Sequence, residues 1–340
     1  MKKLTMADIA LQAGVAKSTV SRYFNGGYVK EETKERIRQV IEKNNYEPSA
    51  AAQNLKLKYT KTIGIVAPTM TSTVTGRQLM AIDETLRQQG YMTIIINTDH
   101  DAAKEIEAIE KLRSLRADGI ILIATTISEE HQKQQQSSDV PFLVMGQQYE
   151  DGVSVVYDDY RAGLEVGKLA ADYGHTDVMF IGVSEVDDAV GRVRKQGVLD
   201  GLKGRCQTVM MEETTFSYNE TRYLIRDILQ VHIPTLFICA TDRMAMAAYK
   251  EVRDAGLRVP EDVSIIGFGA YDSSELMDPS LLSVRFHNEE AGIIAARTLI
   301  NMIYDQPVPS LQMIGHDIRM GGSLANLRKK QEESAPSKSA

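Results

Sequence analysis

Tryptophan is absent from this 340-residue chain, cysteine occurs only twice, and aromatic residues make up 6%. Cys206 and Cys239 form no CxxC pair and have no histidine cluster beside them. That excludes a disulfide-stapled scaffold and a zinc finger, and both thiols read as core. No apolar run approaches the roughly 18 residues a membrane span needs. In the opening run MKKLTMADIALQAG, Asp8 and Gln12 interrupt the stretch behind the two lysines, so no secretory signal is expected. A cytoplasmic protein without a membrane partner is the expectation.

Signatures of catalysis are missing as well. There is no Gly-x-Ser-x-Gly, neither cysteine sits in a nucleophile motif, and Gly267-x-Gly269 lacks the third glycine of a dinucleotide loop. Asp99-His100-Asp101 has metal-ligating side chains but no second cluster at suitable spacing, so it reads as a solvated turn. No catalytic residue, metal or cofactor is expected. What is present is 43% hydrophobic and 25% charged residues, the balance of a globular protein with a sizeable core. At roughly 100–200 residues per domain, the length predicts two or three folding units.

The net charge of −7 hides an asymmetry. Residues 1–61 hold twelve Lys or Arg against six Asp or Glu, about +6, while the remainder carries 27 basic and 40 acidic groups, or −13. A small basic head on a large acidic body points to a polyanion as the partner of the head alone.

Within the head, Met6, Ile9, Ala10 and Ala13 share one face at helical spacing, Thr5 and Asp8 form a capping-box pattern, and Gly14 stops the helix. A second helix starts near Lys17 with Val20 and Phe24 inward, until Asn25-Gly26-Gly27 breaks it. A third, about 31–44, buries Ile37, Val40 and Ile41. Two helices joined by a tight glycine turn make a helix-turn-helix, and the second leaves Lys17, Ser18, Ser21 and Arg22 exposed, side chains suited to base edges and phosphates.

The run LTMADIALQAGVAKSTVSRYFNG closely resembles the DNA-binding head of lac repressor family regulators. Asp8, Ile9, Ala10, Ala13, Gly14, Val15, Thr19, Val20, Ser21, Arg22 and Asn25 all stand at that family's fixed positions. The resemblance implies that Lys17, Ser18 and Arg22 enter the major groove of double-stranded operator DNA. It also implies that Thr5, Ser21, Asn25 and Thr33 meet phosphates. Where the family usually has a capping Ser before the third helix, this chain has Lys30, a cation able to reach a phosphate. In the alanine-rich run after Pro48, the family implies a hinge helix formed on the operator. There Ala52 allows close approach, Leu55 wedges into the minor groove and Lys56 follows the phosphates.

From Thr62 onward, short apolar runs alternate with amphipathic stretches. The runs are TIGIVA, MTIIIN, GIILIA, FLVMG, VMFIGV, TLFICA and SIIGFG. Continuous apolar strands between helices indicate an α/β body with parallel sheets covered on both faces. About five strands in each half suggest two doubly wound lobes, similar to the periplasmic-binding-protein fold that the family joins to its head. Family topology divides the chain into a head at 1–47, a hinge at 48–60 and a bilobed ligand-binding and dimerisation domain at 61–323. The first lobe takes 61–156 and 288–316, the second 157–285 and 317–323. A polar, disordered tail follows at 324–340. The tail has no leucine heptads, so a homodimer is expected.

The cleft between the lobes is the expected ligand site. The resemblance implies Arg194 as a clamp for sugar hydroxyls or a carboxylate and Phe216 as a stacking ring. Asp242, at the start of a helix, reads as an N-cap. At two positions where relatives often place acids this chain has Gly146 and Gly269, so Gln147, Tyr271 or Asp272 would compensate, with Thr241 and Phe286 completing the site. GFGAYD followed by PSLLSVRFHNEEAG resembles the sucrose-type members of the family in low-GC Gram-positive bacteria.

The reading is therefore a repressor of carbohydrate-utilisation genes whose operator affinity is controlled by a sugar or sugar phosphate. A transport or sensory binding protein shares the body but not the head. An α/β enzyme would need a catalytic constellation that is not there. Corepression through a phosphocarrier protein stays open as a variant of the regulator reading.

Overall fold

The computed structural model describes residues 4–24, 27–44, 46 and 59–329. The chain divides into two units, Met1–Thr60 and Lys61–Ala340. In the first, α1 (Met6–Ala13), α2 (Lys17–Phe24) and α3 (Glu31–Lys43) follow one another. The capping box that opens α1 is formed: Thr5 N donates to Asp8 Oδ2 at 2.8 Å, and Thr5 Oγ1 accepts from Asp8 N at 3.4 Å. Gly14 ends α1 in the left-handed region at φ 64°. Lys30 precedes α3 without a side-chain cap. Ile9, Ala10, Ala13, Val20 and Ile37 form a small core, with Val15, Phe24, Val40 and Ile41 against it. The third helix stops one residue before Asn44, whose side-chain amide donates to Val40 O at 2.7 Å and to Gln12 at 3.0 Å. The roles assigned to Asn25, Ala52, Leu55 and Lys56 fall outside the described residues.

The second unit alternates strands and helices. The first half runs β1 (Thr62–Ala67), α4 (Thr73–Gln88), β2 (Met92–Asn97), α5 (Ala102–Ser114), β3 (Gly119–Ile123), α6 (Glu129–Gln136), β4 (Phe142–Met145) and β5 (Val153–Tyr157). The second runs α7 (Asp159–Asp172), β6 (Asp177–Gly182), a π-helical turn (Asp188–Arg194), α8 (Lys195–Leu202), β7 (Thr208–Glu213) and α9 (Tyr218–Val231). It continues with β8 (Leu236–Cys239), α10 (Asp242–Asp254), β9 (Ser264–Phe268), α11 (Asp272–Glu275) and β10 (Leu282–Phe286). Then α12 (Asn288–Ile303) and β11 (Leu311–Ile314) rejoin the first lobe, and β12 (His316–Arg319) rejoins the second.

Two sheets result, in the orders β11-β5-β4-β3-β1-β2 and β12-β10-β9-β8-β6-β7. The pairings are parallel except β10 with β12. All seven apolar runs are strands. The strands not read from periodicity are those with weak patterns, such as the exposed β7 and the crossover strands β11 and β12. These last two bring each sheet to six strands among the described residues, where five were expected. The chain therefore crosses between lobes after Tyr157, after Phe286 and after Ile314, and all three crossings lie at carboxyl ends of strands.

Helices α7 and α8 pack at backbone distance. A Cβ placed on Gly197 would lie 2.1 Å from Tyr160 O. Gly197→Val should therefore lower the stability of the body by about 1–3 kcal/mol or more, since overpacking forces backbone shifts. A thermal midpoint equal to that of the parent would show that the helices part freely.

The tail departs from expectation at its start. Leu324 and Ala325 are buried, Leu327 N donates to Tyr173 O at 2.8 Å, and His175 Nε2 bonds to Ala325 O at 3.0 Å. Two apolar side chains in a polar run suffice to dock 324–329 on the second lobe, so these residues are ordered. Residues 330–340 lie outside the described part. Cys239 is buried as expected, whereas Cys206 is only half-buried, with Sγ 3.0 Å from His175 O. No helix among the described residues is long and apolar enough to cross a membrane.

Candidate functional site

On the head, Lys17, Ser18 and Arg22 are exposed on α2, and Ser21 is half-buried beside them. Lys34 and Arg38 of α3 are held by Glu31 and Glu35 within their own helix. Lys17, Arg22 and Lys30 make no ion pair among the described residues, so their charge is available to a partner. Thr5 is occupied by its cap, and Thr33 accepts from Arg36 at 3.5 Å. Tyr28, which the pattern did not single out, projects from the loop before α3 at 85% exposure.

The two lobes of the body are clasped by four contacts at the carboxyl ends of their strands. Gln147 Nε2 donates to Thr125 O at 2.9 Å in its own lobe and to Asp187 Oδ1 at 2.8 Å in the other, while its Oε1 accepts from Ala189 N at 3.1 Å. Arg77 reaches across to Asp272 at 2.7 Å and to Ala270 O at 3.4 Å. The Tyr271 hydroxyl faces Ser72 of the other lobe. The His100 ring stacks on Phe216 with centroids 5.7 Å apart and planes 18° from parallel.

Behind this clasp lies Arg194, the last residue of the π-helical turn. Its Nε and Nη2 donate to Asp159 Oδ1 at 2.8 and 2.5 Å, and Nη1 donates to Ala240 O at 2.6 Å. The guanidinium lies 4.9 Å from the ring centres of both Phe268 and Phe286. Burial pushes the carboxyls of Asp159 and Asp187 up, and Arg194 opposes the push on each. Three of the five guanidinium N–H groups are therefore taken by protein acceptors, which leaves two without an acceptor among the described residues.

The expected ligand residues do not all point to a ligand. Arg194 and Phe286 meet, whereas Phe216 stacks on His100 in the clasp. The Gln147 amide is spent on the clasp. Thr241 caps α10 by accepting from Met244 N at 3.3 Å, so Asp242 is not the cap. Instead Asp242 is fully buried and accepts from Ser283, Ser274 and Tyr271 N at 2.5, 2.7 and 2.8 Å. The Asp272 carboxylate is 90% exposed and faces Arg77. His100 belongs to the clasp, and Asp101 caps α5.

The family model described as periplasmic binding proteins and sugar binding domain of LacI family matches residues 60–330. That described as bacterial regulatory proteins, lacI family, matches residues 5–49. The chain belongs to the LacI family. A sucrose operon repressor of Staphylococcus xylosus is 32% identical over 305 residues, spanning 89% of this chain and 95% of the relative. A catabolite control protein A of Staphylococcus epidermidis is 30% identical, spanning 92% of this chain and 96% of the relative. Among solved structures, a lac repressor dimer bound to operator and an anti-inducer matches with a TM-score of 0.82 at 21% identity. The match covers 95% of this chain and all of that one, and it shows the fold.

As a LacI-family member the chain lacks acids at two positions for a backbone reason. Gly146 has φ 86° and Gly269 φ 138°, and a Cβ on Gly269 would meet the Tyr271 ring at 2.6 Å. A carboxylate side chain at either point would strain the chain. Arg77, Asp159 and Asp187, which periodicity did not mark, carry the polar contacts of the cleft instead.

Proposed function

We propose that this LacI-family chain is a cytoplasmic, homodimeric repressor of carbohydrate-utilisation genes, with a head that reads operator DNA and a body that binds a sugar or sugar phosphate between its lobes. Its relatives named above are transcriptional regulators rather than enzymes. The observation that carries the reading is the exposed row Lys17, Ser18 and Arg22, with both cations unpaired among the described residues, on the second helix of a helix-turn-helix. Two-fold symmetry predicts a near-palindromic operator with half-sites about one helical turn apart. Control operates by population shift: a ligand that binds the clasped and unclasped lobes unequally moves the equilibrium between DNA-competent and released forms.

Arg22 suits a guanine, whose O6 and N7 accept from both arms of a guanidinium. Arg22→Ala should cost about 1–3 kcal/mol of operator binding and relax specificity at one base position. Competition binding against operators substituted base by base checks this. An equal loss on every sequence would move Arg22 to a phosphate.

A further inference from the structure

Asp187 caps the π-helical turn and is 8% exposed. The hydrogen bonds its carboxylate makes, from Gln147 Nε2 at 2.8 Å and Val190 N at 3.0 Å, both fall on Oδ1. Oδ2 has no hydrogen-bond partner among the described residues, and it is not sealed from solvent-accessible space. A carboxylate oxygen in that condition, at the boundary between lobes, is open to a donor from outside the chain. Arg194 is within electrostatic range of both Asp159 and Asp187, but its N–H bonds go to Asp159 and Ala240 O. One guanidinium thus faces two buried carboxyls, so acidic groups outnumber basic ones in this part of the cleft. Gly146 and Gly269 supply no acceptor beside it. Hydroxyl groups satisfy such a place, whereas a phosphate adds like charge to it.

We infer that Asp187 Oδ2 is the acceptor for ligand hydroxyls and selects an uncharged sugar over its phosphate ester. The inference rests on the interlobe sugar site proposed above. Arg243, exposed in the first turn of α10, is the cation a phosphate would use instead.

The test is calorimetric titration of the full-length protein with sucrose, fructose and glucose and with the 6-phosphate of each. Asp187→Asn is the variant of choice, because its Oδ1 still accepts from Gln147 and Val190 while only Oδ2 becomes a donor. At least one neutral sugar should bind tenfold or more tightly than its phosphate. Asp187→Asn should weaken that sugar by about 10–100-fold, the effect expected for hydrogen bonds to a charged group. Tighter binding of the phosphate ester by the parent protein, lost in Arg243→Ala, would overturn the assignment and leave the sugar site standing. Full affinity of Asp187→Asn for the neutral sugar would overturn it too. Absence of binding by all six compounds would remove the sugar site and the assignment together. The preference of the parent protein does not depend on any variant folding.

Discussion

Operator affinity should fall by roughly 10³–10⁵ as salt rises from 50 to 200 mM, the loss expected when about six to ten phosphates are neutralised. The dependence comes from the head. Residues 1–61 carry about +6 while the rest carries −13, so the body repels the duplex and the head must supply the attraction. Lys17, Arg22 and Lys30 make no ion pair among the described residues, and the two heads of the proposed homodimer double the set to six cations. Ion pairs within α3 take Lys34 and Arg38 out of that sum. Filter-binding or anisotropy titrations at several salt concentrations give the slope of log affinity against log salt. A slope near zero would remove the phosphate contacts and with them the docking of α2 in the groove. Lys30→Ala should reduce the slope by about one unit without changing which base sequence is preferred.

Arg194→Ala should destabilise the body by about 3–5 kcal/mol, because it leaves the buried Asp159 carboxyl without its partner. Asp159 is 3% exposed and Arg194 is 6% exposed, so water cannot replace the lost partner. The variant also loses two donors to any ligand, which alone weakens binding by about 10–100-fold. Part of the phenotype therefore comes from lost stability and part from the lost ligand contact. Asp159→Asn with Arg194→Met separates the two effects. Replacing both members of a buried pair by uncharged groups is often neutral in stability, so the double variant should recover most of the urea midpoint while still failing to bind ligand. Equal loss of stability in the single and double variants would show that packing, not charge, holds the site. Arg192, exposed and paired with Asp188 at 2.5 Å, is the control, with little effect expected on either measurement.

Sequence alone determined what depends on neighbours a few residues away. The Thr5–Asp8 capping box, the stop at Gly14 and the buried stripe of Ile9, Val20 and Ile37 arise from contacts within the head or one turn of helix. The seven apolar runs became strands because an unbroken β-prone run has few other ways to satisfy its backbone while buried. Tertiary structure alone decided the cleft. Arg77 meets Asp272 across 195 positions, Gln147 meets Asp187 across 40, and Arg194 meets Asp159 across 35. None of these pairs has a spacing that any helix or strand period selects. Each forms because the two sheets bring strand ends together at the three crossings. Around Arg194, Asp159 and Asp187, low solvation makes each charge depend on the groups it faces.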